Sequence, residues 1–156
     1  MEVSPDILWQ KLFLLLKNCS LQIRYIPLSG EMDFALSLLT LLQTQEYINI
    51  SQEKSLDPFS FAENIIEEYG KESAYVLVPG SFFDKEGNRK GRGGGWYDKF
   101  LSRIPEEWIR IGCLPKEKLS ENILKKEAWD EPMDWLLVEE EKNKLYKVLE
   151  TKARKK

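Results

Sequence analysis

The seven residues AYVLVPG at positions 74–80 contain no charged side chain and end in a Pro-Gly pair. Five consecutive apolar residues of this kind are typical of a strand that is covered on both faces. Strands of that type belong to parallel sheets covered by helices, whereas a strand with one solvated face alternates apolar and polar residues. This segment therefore predicts that the chain folds as a layered α/β domain.

The rest of the chain alternates between strand-like and helix-like segments. Further strands are predicted at 21–29, 46–51, 108–115 and 133–141. Helices are predicted from Ser4-Pro5-Asp6 onward, over 30–43, over 61–71 with an end at Gly70, and where Tyr97, Phe100, Leu101 and Ile104 share one face. The basic tail, about 142–156, is predicted to be an exposed helix. The alternation predicts a mostly parallel sheet in a single domain over residues 1–156.

Histidine is absent from the 156 residues, which excludes every histidine general base and every histidine-ligated metal site. Cys19 and Cys113 are far apart in the sequence, which argues against a disulfide framework and fits a reducing cytosol. The apolar run from Leu12 to Leu16 is too short to span a bilayer, so we expect a cytoplasmic protein with no membrane partner. The net charge of −3 gives no overall attraction to nucleic acid, so any anion site has to be local.

A glycine-rich stretch, GNRKGRGGGWYD at 87–98, holds five of the nine glycines together with Arg89, Lys90 and Arg92. Glycine lets successive backbone amides converge on an anion, and arginine adds forked donors that suit phosphate oxygens. A helix that follows such a loop places its first amides at the same point. The stretch therefore predicts a phosphate site, although neither GxxxxGK[ST] nor GxGxxG is present. The alternative is a solvated hairpin whose cations serve solubility.

Two longer segments resemble a known family. LVPGSFFDKEGNRKGRGGGWYDKFL at 77–101 is similar to the signature of 5-formyltetrahydrofolate cyclo-ligases, also called 5,10-methenyltetrahydrofolate synthetases. WDEPMDWLLVEE at 129–140 resembles the closing motif of that family, and SGEMDF at 29–34 resembles its acidic stretch after the first strand. The resemblance implies a three-layer α/β/α fold. It also implies a ligase of one-carbon metabolism that converts 5-formyltetrahydrofolate and MgATP into 5,10-methenyltetrahydrofolate, ADP and phosphate.

The same resemblance implies roles for individual residues. ATP would be bound by Lys11, Arg89, Lys90, Gly91, Arg92, Gly93, Gly94, Gly95, Trp96 and Tyr97. Mg²⁺, a hard ion that prefers carboxylate oxygens, would be held by Asp98 and Asp130. The folate would contact Glu31, Trp96 and Tyr97, with Arg92 and Tyr97 acting in catalysis. The expected partners are these small molecules, and we expect a monomer.

Four of these residues also have purely structural interpretations. Asp98 could complement the dipole of the helix that it begins, and Asp130 could be an ordinary turn residue. Glu31 could be a solvated acid at a helix start, and Trp96 could belong to the core, since buried aromatic rings mostly serve packing.

Two other functions stay open at the level of sequence. The first is a relative that binds folate or nucleotide without turnover. The N-terminal helix of the family usually offers a lysine and an arginine to the ATP phosphates, whereas this helix has Lys11 and Lys17 but no arginine. The second is an RNA-contacting module that uses the basic loop and the tail KARKK.

Overall fold

A six-stranded sheet forms the centre of the structure, a computed structural model that describes residues 6–27, 46–50, 57–91, 94–141 and 145–151. The described strands are β1 (Leu21–Tyr25), β2 (Glu46–Ile50), β3 (Ala74–Val78), β4 (Phe82–Phe83), β5 (Arg89–Lys90), β6 (Ile109–Pro115), β7 (Trp135–Glu141) and β8 (Leu145–Glu150). The described helices are α1 (Asp6–Lys17), α2 (Pro58–Tyr69) and α3 (Trp96–Leu101), with a 3₁₀ turn at Lys116–Lys118. The helix predicted over 30–43 lies outside the described residues.

The sheet has the strand order β2-β1-β3-β6-β7-β8. Every neighbouring pair is parallel except β7 with β8, which is antiparallel. All five residues of β3 are buried, as the apolar run predicts. The mostly parallel sheet is therefore confirmed, because β3 lies inside the sheet with parallel neighbours on both sides.

The sheet is covered by helices on both faces. On one face, Leu12 and Leu16 of α1 pack with Tyr75 and Leu77 of β3. On the other face, α2 and α3 contribute Ala62, Ile65, Phe100 and Leu101, which pack with Val76 and Val78 of the same strand. This arrangement confirms the three-layer α/β/α fold. Within the described ranges, no helix has the length and apolar content needed to cross a membrane.

The C-terminal segment differs from its prediction. The prediction of an exposed helix over 142–156 is wrong for the described part of that segment, because Leu145–Glu150 forms β8 against β7. Val148 packs with the α1 face and Leu149 with the opposite face, so successive residues are used on both sides of the sheet. Pairing with the outer edge of β7 outweighs the helical preference of this charged stretch, since strand formation depends on neighbours more than on intrinsic propensity.

α2 begins three residues earlier than the predicted start at residue 61. Asp57 caps it, because its side chain accepts a hydrogen bond from the Ser60 amide at 3.0 Å, and Pro58 occupies the first helical turn. This earlier start brings Phe59 into the helix, where its ring becomes part of the site described below.

β4 and β5 form a hairpin that is held by one buried carboxylate. Asp84 is fully buried and accepts hydrogen bonds from the amides of Glu86, Asn88 and Leu124 and from the Asn88 side chain, at 2.8–3.0 Å. Gly87 at the tip accepts a hydrogen bond from the Met133 amide at 2.8 Å. The hairpin is thus tied at two points to the segment between β6 and β7, which argues against a freely solvated loop.

Candidate functional site

The glycine-rich loop ends in two consecutive residues of left-handed backbone, Gly94 (φ 79°) and Gly95 (φ 64°), directly before α3. A Cβ atom at either position would meet no atom of the described residues within 4 Å, chain neighbours aside. Glycine takes this conformation without the steric cost of about 1–2 kcal/mol that a side chain adds. The loop therefore presents bare backbone to open space, as the binding of an anion by backbone amides requires.

A cleft of about 530 Å³ opens beside these glycines. It is lined by Phe59, Gly94, Gly95, Asp98, Lys99, Ser102, Trp129 and Glu131. Its volume falls in the range that small-molecule sites occupy. Three parts of the chain that are distant in sequence meet here: the start of α2, the loop with α3, and the segment before β7.

Asp98 lines this cleft, and Asp130 lies next to it. The Glu131 amide donates a hydrogen bond to Oδ1 of Asp98 at 3.0 Å, and the Glu127 amide donates one to Oδ2 of Asp130 at 2.8 Å. Burial raises the pKa of Asp98, and the negative charge of Asp130 raises it further, while the Glu131 amide and Arg89 act in the opposite direction. The structure thus brings together the two carboxylates that the sequence names as metal ligands.

This carboxylate pair fits a magnesium ion. Burial is the largest cause of the raised pKa of Asp98, and a bound cation would stabilise the charged form that burial disfavours. Mg²⁺ is usually held by one or two carboxylates and completes its shell with water and phosphate oxygens. No group of three potential ligand side chains occurs in the described part of the chain, so an ion here would need those additional oxygens. Metal binding itself stays a prediction.

Without metal or nucleotide, Asp98→Asn is expected to be more stable than the wild type at pH 7.5. Folding raises the pKa of Asp98, so the protonated carboxyl contributes to the free energy of unfolding. This contribution is fully present below the unfolded pKa of about 4 and is lost as the pH rises through the folded pKa. Asparagine keeps the Oδ1 acceptor for the Glu131 amide but carries no charge.

Urea midpoints of both proteins at pH 7.5 and pH 4.5 measure this effect. We expect the difference in urea midpoint between the variant and the wild type to be smaller at pH 4.5 than at pH 7.5. An advantage of equal size at both values, or a variant that is less stable at pH 7.5, would contradict it.

A buried ion pair supports the segment that contains Asp130. Arg110, at the start of β6, donates to Oε1 of Glu131 at 2.7 Å and to the Leu101 carbonyl at 3.0 Å. The Arg110 side chain is 4% exposed and the Glu131 side chain 26%. Since the Glu131 amide also binds Asp98, Arg110 connects the sheet, the end of α3 and the carboxylate pair.

The cations of the loop differ in their environments. Nε of Arg89 donates to the Pro79 carbonyl at 2.6 Å, and its guanidinium lies 5.1 Å from the centre of the Tyr97 ring. Lys90 is exposed, and its carbonyl accepts from the Ser81 amide. Gly91 packs against the Arg89 guanidinium. Their contacts with ATP stay predictions; Arg92, Gly93 and Glu31 lie outside the described residues.

Tyr97 belongs to the buried core, Trp96 is partly buried and packs against that core, and neither lines the cleft. Tyr97 is 5% exposed, and Trp96 stacks on Phe100 with ring centres 5.4 Å apart. The helical spacing explains this placement, because Tyr97, Phe100 and Leu101 share the buried face of α3. The contacts of Trp96 agree with the structural interpretation of this residue, that its ring serves packing. The folate and ATP contacts of both residues, and a catalytic role of Tyr97, stay predictions.

Lys11 is also absent from the cleft lining. Its ammonium binds both carboxylate oxygens of Glu150, at 3.0 and 2.9 Å, and lies 5.8 Å from the centre of the Trp135 ring. α1 covers the opposite face of the sheet from α3, so the structure does not bring Lys11 to the carboxylate pair. A phosphate contact of Lys11 stays a prediction that requires its release from Glu150.

Sequence reasoning missed part of the cleft wall. Phe59, Lys99, Ser102, Trp129 and Glu131 line it, although none was assigned a role from the pattern. The exposure of Trp129 could not be predicted from its neighbours, and Phe59 joins the wall only because α2 starts at Pro58. A large aromatic residue directly before the acidic residues Asp130 and Glu131 was the available signal for Trp129.

Comparisons with known proteins agree with one another. Residues 37–139 match the 5-formyltetrahydrofolate cyclo-ligase family, which is more than half of the chain. A mouse 5-formyltetrahydrofolate cyclo-ligase is 30% identical over 105 residues, which are 65% of this chain and 49% of the mouse protein. The chain thus spans about half the length of this curated relative.

Two solved structures share the fold. A 5,10-methenyltetrahydrofolate synthetase from Aquifex aeolicus superposes with a TM-score of 0.58 at 23% identity, over 100% of this chain and 86% of the other. The synthetase from Mycoplasma pneumoniae superposes with a TM-score of 0.54 at 23% identity, over 83% of this chain and 79% of the other. At this level of identity the two likenesses establish the fold alone.

Proposed function

The chain belongs to the 5-formyltetrahydrofolate cyclo-ligase family, and on that premise we propose that it is an ATP-dependent ligase. It converts 5-formyltetrahydrofolate and ATP into 5,10-methenyltetrahydrofolate, ADP and phosphate. The observation that supports this most is that Gly94, Gly95 and Asp98 line one cleft and that Asp130 lies beside Asp98. Bare backbone and paired carboxylates are the parts that phosphoryl transfer requires, because that chemistry depends on positioning and on charge neutralisation.

The reaction can be written with all atoms balanced. The formyl oxygen attacks the γ-phosphorus, ADP leaves, and an iminophosphate forms at N5. N10 then attacks the formyl carbon, and phosphate departs with the former formyl oxygen. The N10 proton is released, and the product is the methenyl cation. No strong base is required, which suits a chain without histidine.

The side chains of this protein would bind and orient the reactants. Asp98 and Asp130 would hold Mg²⁺, which neutralises phosphate charge when it is bound. The backbone at Gly94 and Gly95, with Arg89 and Arg92, would hold the phosphates. Arg110 would keep Glu131, and through its amide Asp98, in place.

Turnover separates this proposal from its main alternative. Formation of the methenyl product, followed by its absorbance, should require both ATP and Mg²⁺ and should release ADP in equal amount. A relative that only binds would take up folate or nucleotide but form no product. The proposal would fail if product formed at the same rate without ATP, or did not form at all.

The family resemblance alone assigns Lys11 a phosphate contact, and on that assignment Lys11→Met is expected to raise the KM for ATP about 10-fold, as the loss of one charge-assisted hydrogen bond would. The exposed pair of Lys11 with Glu150 contributes at most about 1 kcal/mol, so ATP can compete for the ammonium. Lys17→Met, in the last turn of the same helix, is the matched control and should leave the KM unchanged. An effect of Lys17→Met alone would reverse the assignment, and no effect of either would leave the loop as the source of positive charge.

A further inference from the structure

The cleft beside the loop has two aromatic side chains in its wall. Phe59 comes from the first turn of α2 and Trp129 from the segment before β7. The indole of Trp129 is 67% exposed, an unusual state for the largest apolar side chain. Exposed rings at a cleft offer flat apolar surface to a planar ligand.

One face of the Phe59 ring already has a partner. The guanidinium of Arg103 lies 4.4 Å from the centre of this ring. An arginine on one face of a ring favours one orientation of that ring, and this arginine also forms an ion pair with Glu63 at 3.4 Å. Phe59 is therefore a preorganised part of the wall.

The same cleft contains a carboxylate whose position is fixed. Glu131 lines the cleft, and Oε1 of its side chain is held at 2.7 Å by the buried Arg110. A carboxylate has lone pairs for about four hydrogen bonds, so one bond from arginine leaves acceptor capacity for a ligand. A fixed acceptor beside aromatic surface suits a flat ring that bears N–H donors.

We propose that Phe59 and Trp129 bind an amino-substituted nitrogen heterocycle, with Glu131 accepting from its N–H groups. The inference rests on the proposed function, which supplies two such rings: the adenine of ATP and the pterin of the folate. Both present an exocyclic amino group and a flat ring face, which in the reduced pterin is the pyrimidine half.

The position of the rings relative to the carboxylate pair supports this assignment. Trp129 directly precedes Asp130, and Phe59 shares the cleft lining with Gly94, Gly95 and Asp98. A ring bound at Trp129 therefore lies in the same cleft as the groups assigned to phosphate and metal. One ligand can occupy both parts at once, or two ligands can meet there.

The experiment measures equilibrium binding, without turnover, by calorimetry for MgADP and separately for 5-formyltetrahydrofolate. The variants are Trp129→Leu and Phe59→Leu. Tyr47→Leu is the matched control, because it removes a ring that is 51% exposed on the edge strand β2, outside the cleft. Melting temperatures of the ligand-free proteins show whether each variant is folded.

We expect Trp129→Leu and Phe59→Leu each to weaken the same ligand about 10-fold, the effect of removing a stacking ring, while Tyr47→Leu leaves both affinities unchanged. Weaker MgADP alone identifies adenine as the ring, and weaker 5-formyltetrahydrofolate alone identifies pterin. If the wild type binds a ligand and both variants bind it within about 2-fold, this inference is wrong and the proposed function stands. If the wild type binds neither ligand, both are wrong.

Discussion

Replacing Asp98 with asparagine is expected to lower kcat/KM for ATP at least about 100-fold while the protein stays folded. Changes in groups that merely orient a metal ligand already cost 10–100-fold, and Asp98 is proposed as a direct ligand. The half-buried carboxylate lies beside Asp130, and the asparagine side chain keeps the bond from the Glu131 amide but offers no negative charge to a cation. Asp130→Asn should show the same loss.

Glu107→Gln is the control for the loss of a single negative charge, because Glu107 is an exposed acid in the turn after α3. Initial rates at several Mg²⁺ concentrations measure the effect. We expect the control to match the wild type and the two aspartate variants to lose their response to Mg²⁺. Full turnover in Asp98→Asn would leave Asp98 as an acid that only complements the start of α3.

Arg110→Met is expected to lower the free energy of unfolding by about 3 kcal/mol. Removing one partner of a buried ion pair costs about 3–5 kcal/mol, and the lower end applies because the Glu131 side chain keeps 26% exposure. The Leu101 carbonyl also loses its donor. Turnover should fall as well, because the amide of Glu131 positions Asp98.

Arg103→Met is a matched control, since Arg103 forms an exposed ion pair with Glu63 and should cost at most about 1 kcal/mol. Urea unfolding of both variants gives the comparison. The double change Arg110→Met with Glu131→Leu should recover much of the lost stability, because it leaves no unpaired charge. A loss of equal size for Arg103→Met and Arg110→Met would contradict the account of a supporting ion pair.

The central layer of the fold could be predicted from local patterns. The unbroken apolar run of β3 is typical of a strand covered on both faces, and its sheet neighbours at 21–25 and 109–115 have strand-like composition. The closeness of Asp98 and Asp130 followed only from a family resemblance, since 31 residues separate them and nothing local joins them.

The remaining features depend on contacts between distant segments. β8 forms because β7 has an open edge, and no property of residues 145–150 alone requires it. Asp84 lies within the segment 77–101, and its four hydrogen bonds make it a buried scaffold of the hairpin, which nothing local in the sequence indicates. The aromatic wall at Phe59 and Trp129 exists only where α2 and the segment before β7 meet.

The fate of the formyl oxygen tests the central claim most directly. 5-Formyltetrahydrofolate labelled with ¹⁸O at the formyl group is incubated with the enzyme, ATP and Mg²⁺, and the released phosphate is analysed by mass. If the formyl oxygen attacks the γ-phosphorus, each phosphate carries one ¹⁸O atom, and methenyl product and phosphate form in equal amounts. Methenyl product accompanied by unlabelled phosphate, with the label in water, would contradict the proposed reaction.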